Sequence, residues 1–164
     1  MKEIFRAAAE SDLDAVAALY LRCAQVGRTN GSSDWDDDYP NRSFAEEDLR
    51  QNGLYVLERD GEIIAAVTLL PRDDLDELPL PWIDVPSCAL MRLGVEPTLQ
   101  GQGIGARMTT LITEEARRRG YQATRHMSAK TNKVSTDLYR RLGYREVGSA
   151  HLYDIDFICF ERVL

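Results

Sequence analysis

The segment Gln100-Gly101-Gln102-Gly103-Ile104-Gly105-Ala106 follows an apolar run and opens a helical one. That arrangement suits a phosphate. The first N–H groups of a helix have no intrahelical acceptor, and the helix dipole adds positive potential there. Glycines omit the Cβ that would keep an anion away from the backbone. A phosphate-bearing ligand is therefore expected. Read by itself, the turn also fits a plain strand-to-helix connection with no ligand. Gly101-x-Gly103-x-x-Ala106 also fits a loose dinucleotide fingerprint, which requires an acidic residue ~20 positions on. The next apolar run instead offers Thr124, Arg125, His126, Met127 and Ser128. Too little chain follows for the rest of a doubly wound sheet. No Gly-Lys-Ser/Thr is present, which excludes a P-loop.

The other reactive side chains narrow the chemistry by exclusion. Cys23, Cys88 and Cys159 lie far apart, and the histidines are His126 and His151 alone. This argues for free thiols and against a structural zinc site, and no metal is expected. The net charge of −7 argues against a nucleic-acid partner, whose phosphates need a basic face. It would steer a cationic small molecule toward the protein, and it also serves solubility alone. No apolar run approaches the ~20 residues of a membrane span. The start, Met1-Lys-Glu-Ile-Phe-Arg6, lacks the apolar stretch of a signal peptide. No membrane partner and a cytoplasmic location are expected.

The elements that must position the turn read as a mixed α/β chain. With 164 residues, one domain spanning 1–164 is expected. A short strand, Ile4 to Ala8, precedes a helix capped by Ser11 with Asp14, whose stripe is Leu13, Val16, Ala17, Tyr20, Leu21 and Ala24. Residues 27–42 read as a polar loop, and Ser43 with Glu46 as the next helix start. Leu54 to Glu58 and Glu62 to Leu70 form a hairpin about Asp60-Gly61. A proline-rich acidic loop, 71–86, leads to the strand Cys88 to Val95. Then come a helix from Gly103 to Arg119 with the stripe Ile104, Met108, Leu111, Ile112 and Ala116, a strand from Gln122 to Ser128, and a helix from Lys133 to Leu142. Two strands close the chain, Tyr144 to Ser149 and Asp156 to Val163, the last a candidate to pair across a homodimer.

Gln100-x-x-Gly103-x-Gly105 resembles the acetyl-CoA pyrophosphate loop of the GNAT superfamily of N-acetyltransferases. Further on, Asn132-Lys-Val-Ser135-Thr-Asp-Leu-Tyr139-Arg-Arg-Leu-Gly143-Tyr144 is similar to that family's second signature in order and spacing. The resemblance implies an α/β (α+β) fold of the GNAT type. Its central mixed, mostly antiparallel sheet has about seven strands with four helices, splayed between strands 4 and 5. It implies pyrophosphate held by Gln100, Gly101, Gln102, Gly103, Ile104, Gly105 and Ala106. Pantetheine would lie along Leu93, Gly94 and Val95, with the Leu93 amide facing the thioester carbonyl as an oxyanion donor. Asn132 would touch the pantetheine arm, and Tyr139 would protonate the CoA thiolate. The implied activity is transfer of the acetyl group of acetyl-CoA, as co-substrate, to a primary amine by direct attack.

The residues leave other readings open. Tyr139 also fits a core aromatic beside Val134, Leu138 and Leu142. Some family members carry a glutamate on the strand before the turn, where this chain has Ala89. Glu58, Asp84, His126 and Glu146 remain candidates for the base. A non-catalytic acyl-CoA-binding module or sensor, and a nucleotide-dependent oxidoreductase, are the competing functions. The amine acceptor, a small molecule or peptide, would meet Trp35, Asp36 and Tyr39, the aromatics offering a cation–π face. The aspartates around Trp35, and Asp73, Asp74, Asp76 and Glu77, also read as solvated loops.

Overall fold

The computed structural model describes residues 1–164. The alternating and continuous apolar runs become β1 (Glu3–Ala7), β2 (Leu54–Arg59), β3 (Glu62–Leu70), β4 (Ser87–Val95), β5 (Ala123–Ala129), β6 (Arg145–Leu152) and β7 (Ile155–Val163). The helical stripes become α1 (Leu13–Thr29), α2 (Arg42–Arg50), α3 (Ile104–Arg118) and α4 (Lys133–Arg141). The strands form one sheet in the order β1-β2-β3-β4-β5-β7-β6. β4 and β5 pair parallel and every other pair is antiparallel. This is the mixed α/β architecture expected of the GNAT fold.

Amphipathic stripes decide which face each helix covers. Met108, Ile112 and Ala116 of α3 pack on Leu57, Val67 and Leu90. Val16, Leu19 and Tyr20 of α1 pack on Leu54, Val56 and Ala66, from the opposite face. Each such fully buried side chain contributes about 1.5–3 kcal/mol. Leu19 takes the buried place expected of Leu21, which is 41% exposed. On α3, Leu111 is half-buried, and Thr109 and Thr113 are buried instead. Their hydroxyls donate to the carbonyls one turn back, Gly105 at 2.9 Å and Thr109 at 2.6 Å, which satisfies them in an apolar setting.

Several boundaries differ from the sequence expectation for local reasons. The Ser11–Asp14 capping box does not form; Asp12 accepts the Ala9 amide at 2.7 Å and the Arg6 guanidinium at 2.6 Å. α1 continues through Gly27, so the polar loop starts after Thr29. α2 is capped by Asn41, which accepts the Ser43 amide at 3.0 Å. β6 and β7 run longer than expected because Tyr153 and Asp154 turn with φ of 54° and 59°. That primed turn normally advertises itself with glycine. β7 lies between β5 and β6 with both edges paired. Pairing of that strand across a dimer is therefore closed, and the free sheet edges are β1 and β6.

Candidate functional site

β4 and β5 pair only from Ser87 to Ala89 with Ala123 to Arg125. Beyond that point they part. β5 keeps β7 as its partner through Ala129, and β4 keeps β3 through Val95. The split expected near Leu93 to Val95 thus begins earlier, directly after Ala89. It leaves the facing backbone edges of Leu90–Val95 and 126–129 without each other, which is where an extended ligand can pair as a strand would.

The glycine turn sits at the end of the β4 prong. A 3₁₀ turn, Pro97–Leu99, consumes the Gln100 amide, which donates to the Pro97 carbonyl at 3.3 Å. The Gln100 side chain donates to the Val95 carbonyl at 3.3 Å. Gln100 therefore braces the loop, and its amide is not free for pyrophosphate as expected. The six amides from Gly101 to Ala106 donate to no protein acceptor, and α3 has no side-chain cap. The glycines differ in their reasons. Gly101 and Gly103 have φ of 82° and 81°, with open space where a Cβ would point. Gly105 is a packing glycine: a Cβ there would lie 3.3 Å from Leu138 of α4.

That close approach brings the two motifs together. Leu138, Tyr139, Tyr144 and Phe160 form one cluster, against which Leu93 and Ala106 pack. Tyr139 lies against His126, ring centroids 3.5 Å apart. Burial, reinforced by Tyr144 and opposed by a hydrogen bond with Ser135, raises its pKa well above the ordinary tyrosine value. It is a neutral donor at pH 7. Burial pushes His126 down to about 3, so it is an uncharged core residue, and its Nε2 has no partner.

Asn132 caps α4, accepting the Ser135 amide at 3.1 Å. Its amide nitrogen donates to Asp34 at 3.2 Å. Both ends of this side chain are engaged by protein. The 30–41 loop thereby bridges the start of α4 and the β4 prong, since Trp35 packs beside Gly94 of β4. Trp35 is half-buried, edge-on to Tyr20, and serves as a wall. One Asp36 oxygen accepts the amides of Asp38 and Tyr39 at 2.8 and 2.7 Å. Tyr39 accepts from Arg92 at 3.3 Å and meets Phe44 edge-on. These loop residues are tied to their own scaffold first.

The candidate bases separate sharply. Glu58 pairs with Arg6 at 3.3 Å, Glu146 pairs with Arg140 at 2.5 Å, and Asp84 is exposed. In the sequence Asp73 is one of several carboxylates in an acidic loop. It is half-buried, three residues past Leu70, the β3 partner of Ala89. It makes no salt bridge. Burial raises its pKa, with the Asp74 and Asp76 charges adding and a backbone hydrogen bond and Arg92 opposing. Nearby, Glu161 holds Arg125 at 3.0 Å, Arg145 at 2.9 Å and the Ile83 amide at 3.1 Å. Asp76 pairs with Arg125 at 2.9 Å. This network pins the 71–86 loop to the sheet. Asp48, Arg92 and Glu161 carried no motif, and a charged residue inside an apolar run was the only signal for Arg92.

No group of three or more His, Cys, Asp or Glu side chains could hold a metal ion. No helix is long and apolar enough to cross a membrane.

The family model described as the acetyltransferase (GNAT) family matches residues 13–144. An S-alkylcysteine N-acetyltransferase of Bacillus subtilis is 28% identical over 145 residues, covering 87% of this chain and 78% of that protein. N-acetyltransferase 8 of Mus musculus is 25% identical over 118 residues, covering 68% of this chain and 49% of its own. Among solved structures, a GNAT-family acetyltransferase from Streptococcus agalactiae superposes with a TM-score of 0.84 at 16% identity, covering 99% of this chain and 95% of that one. The ribosomal-protein-S18-alanine N-acetyltransferase of Escherichia coli does so at 0.72 and 18%, covering 99% and 94%. At such identities the structural likeness is one of fold.

The dual role of Asn132 yields a stability expectation. Asn132→Ala removes the cap and the tie to Asp34, costing about 1 kcal/mol. Asn132→Asp keeps the cap acceptor but sets a carboxylate against Asp34. At neutral pH it is expected to lower the denaturation midpoint, and lowering the pH until one carboxylate protonates is expected to recover it. A pH-independent Asn132→Asp midpoint would discard the tie.

Proposed function

The chain belongs to the acetyltransferase (GNAT) family, and on that premise we propose that it transfers the acetyl group of acetyl-CoA to a primary amine. The observation that carries this reading is the run of six uncommitted amides from Gly101 to Ala106, set beside a parted strand pair. Their donors and the α3 dipole suit a pyrophosphate. The parted edge of β4 suits the amide-bearing pantetheine arm. The thioester then reaches the cluster of Leu138, Tyr139, Tyr144 and Phe160, against which Leu93 packs.

In this reading the amine nitrogen attacks the thioester carbonyl, whose oxygen gains charge opposite the Leu93 amide. The C–S bond breaks as the carbonyl re-forms. Tyr139, kept protonated by burial, gives its proton to the departing thiolate. The proton lost by the amine passes to Asp73, directly or through one water. The products are the N-acetyl amide and CoA thiol. The acyl-CoA-binding module without catalysis is the alternative, and turnover decides between them. By its name the Bacillus relative acts on S-alkylcysteine, so α-amino acids lead the amine panel. Acetyl-CoA binding with no thiol released on any amine of the panel would leave binding alone.

Three variants test the parts. Gly103→Val places a branched side chain at φ 81° in the open cradle. It is expected to weaken acetyl-CoA binding at least tenfold by calorimetry; retained affinity would misplace the pyrophosphate. Tyr139→Phe is expected to lower kcat roughly 10²-fold with little change in acetyl-CoA affinity, the span usual for loss of a general acid. Unchanged kcat would remove the acid role. The Asp73 base form is lost as pH falls through its raised pKa. The acidic limb of kcat/KM is therefore expected above the ordinary aspartate range, and Asp73→Asn is expected to abolish that limb. A limb that survives in Asp73→Asn assigns the base elsewhere.

A further inference from the structure

Arg92 has φ 50°, alone among the β4 residues in the left-handed region. An L-residue with a side chain disfavours that conformation, and in a strand it needs a cause. The β3–β4 register shifts at this point: Ala66 pairs with Gly94, yet Thr68 pairs with Met91. Val67 thus faces both Arg92 and Leu93, a β-bulge. The bulge changes the face of everything after it. Leu90 and Leu93 are three apart, so strict alternation would put them on opposite faces. Both instead pack on the α3 side, as does Val95, while Gly94 turns to Trp35.

The Arg92 side chain leaves the strand on the α2 side. Its Nε and Nη2 donate to the two oxygens of Asp48 at 2.8 and 2.6 Å. Its Nη1 donates to the Tyr39 hydroxyl at 3.3 Å, and the Thr68 hydroxyl donates to Asp48 at 2.7 Å. Asp48 is 1% exposed and the Arg92 side chain 10%. A buried ion pair gains little over well-packed apolar residues of the same volume, because both charges lose their water. What a bidentate guanidinium–carboxylate pair supplies is geometry: two parallel bonds fix both position and rotation.

We propose that the Asp48–Arg92 pair is a positioning device that holds the β4 bulge and thereby aims Leu93 into the fork. Neither residue touches the co-substrate. They act through the backbone of residues 92 and 93. The assignment rests on the acetyl-CoA reading above, and it adds α2 to the machinery of transfer.

The test is the amide resonance of Leu93 in 15N-leucine-labelled full-length protein, titrated with acetyl-CoA, with affinity measured by calorimetry alongside. In the wild type, Leu93 is expected to shift on binding. Asp48→Asn removes one charge, and Arg92→Lys keeps the charge but loses the fork. Both are expected to bind acetyl-CoA within about threefold of wild type. Both are expected to lose at least half of the Leu93 shift and, on an accepted amine, to lose about tenfold or more in kcat, toward the range for a missing oxyanion donor. An unchanged Leu93 response in folded Asp48→Asn or Arg92→Lys overturns the proposal. So does failure of both variants to fold by circular dichroism, which assigns the pair to stability. A wild-type protein that does not bind acetyl-CoA fails the functional reading itself, and the calorimetry distinguishes that case. Binding without a Leu93 shift overturns the positioning claim alone.

Discussion

Two parallel strands that pair for three residues and then part impose a requirement on everything around them. A peptide group withdrawn from water needs a partner, and a sheet interior ordinarily supplies it. Here Leu90 to Val95 lose β5 on one side and must be kept in place without that ladder. β3 holds the strand by its other edge. α3 holds it through Leu93, Val95 and Leu99. The 30–41 loop steadies Gly94 through Trp35, and α2 grips Arg92. The helices and loops of this protein can be understood as substitutes for one missing strand partner.

Much of this was legible in the residues. The hairpin at Asp60-Gly61, the α3 stripe and the glycine turn announce themselves, because turn chemistry and 3.6-residue periodicity are local. The family resemblance links Tyr139 to the turn, and Leu138 meeting Gly105 is the contact that makes the link physical. What stayed hidden was non-local or cost-free in pattern. A bulge at Arg92 leaves no mark in composition, since Leu-Met-Arg-Leu reads as an ordinary strand end. Asp48 sits on α2 as one more acidic residue of a polar helix, and only the fold places it under Arg92 at 1% exposure. Tyr153-Asp154 turns with positive φ at both residues and no glycine, so the β6–β7 hairpin looked shorter than it is.

Electrostatics divide along the same line. The acidic character of the chain suggested attraction for a cation. In the structure most acidic groups near the fork are already answered: Asp34 by Asn132 and Ser32, Asp37 by Arg28, Asp48 by Arg92, Asp76 and Glu161 by Arg125. Asp73 is half-buried and makes no salt bridge, while Asp36 accepts only loop amides. Local charge near the fork therefore serves shape first.

The open amides of the α3 turn also matter when no reaction is under way. A ligand that binds only the folded chain stabilises it by mass action, about 2.7 kcal/mol at a concentration one hundred times its dissociation constant. An anion that completes the six donors left without an acceptor in the polypeptide would raise the melting temperature in step with its supply. Resistance to unfolding would then rise and fall with the pool of that anion.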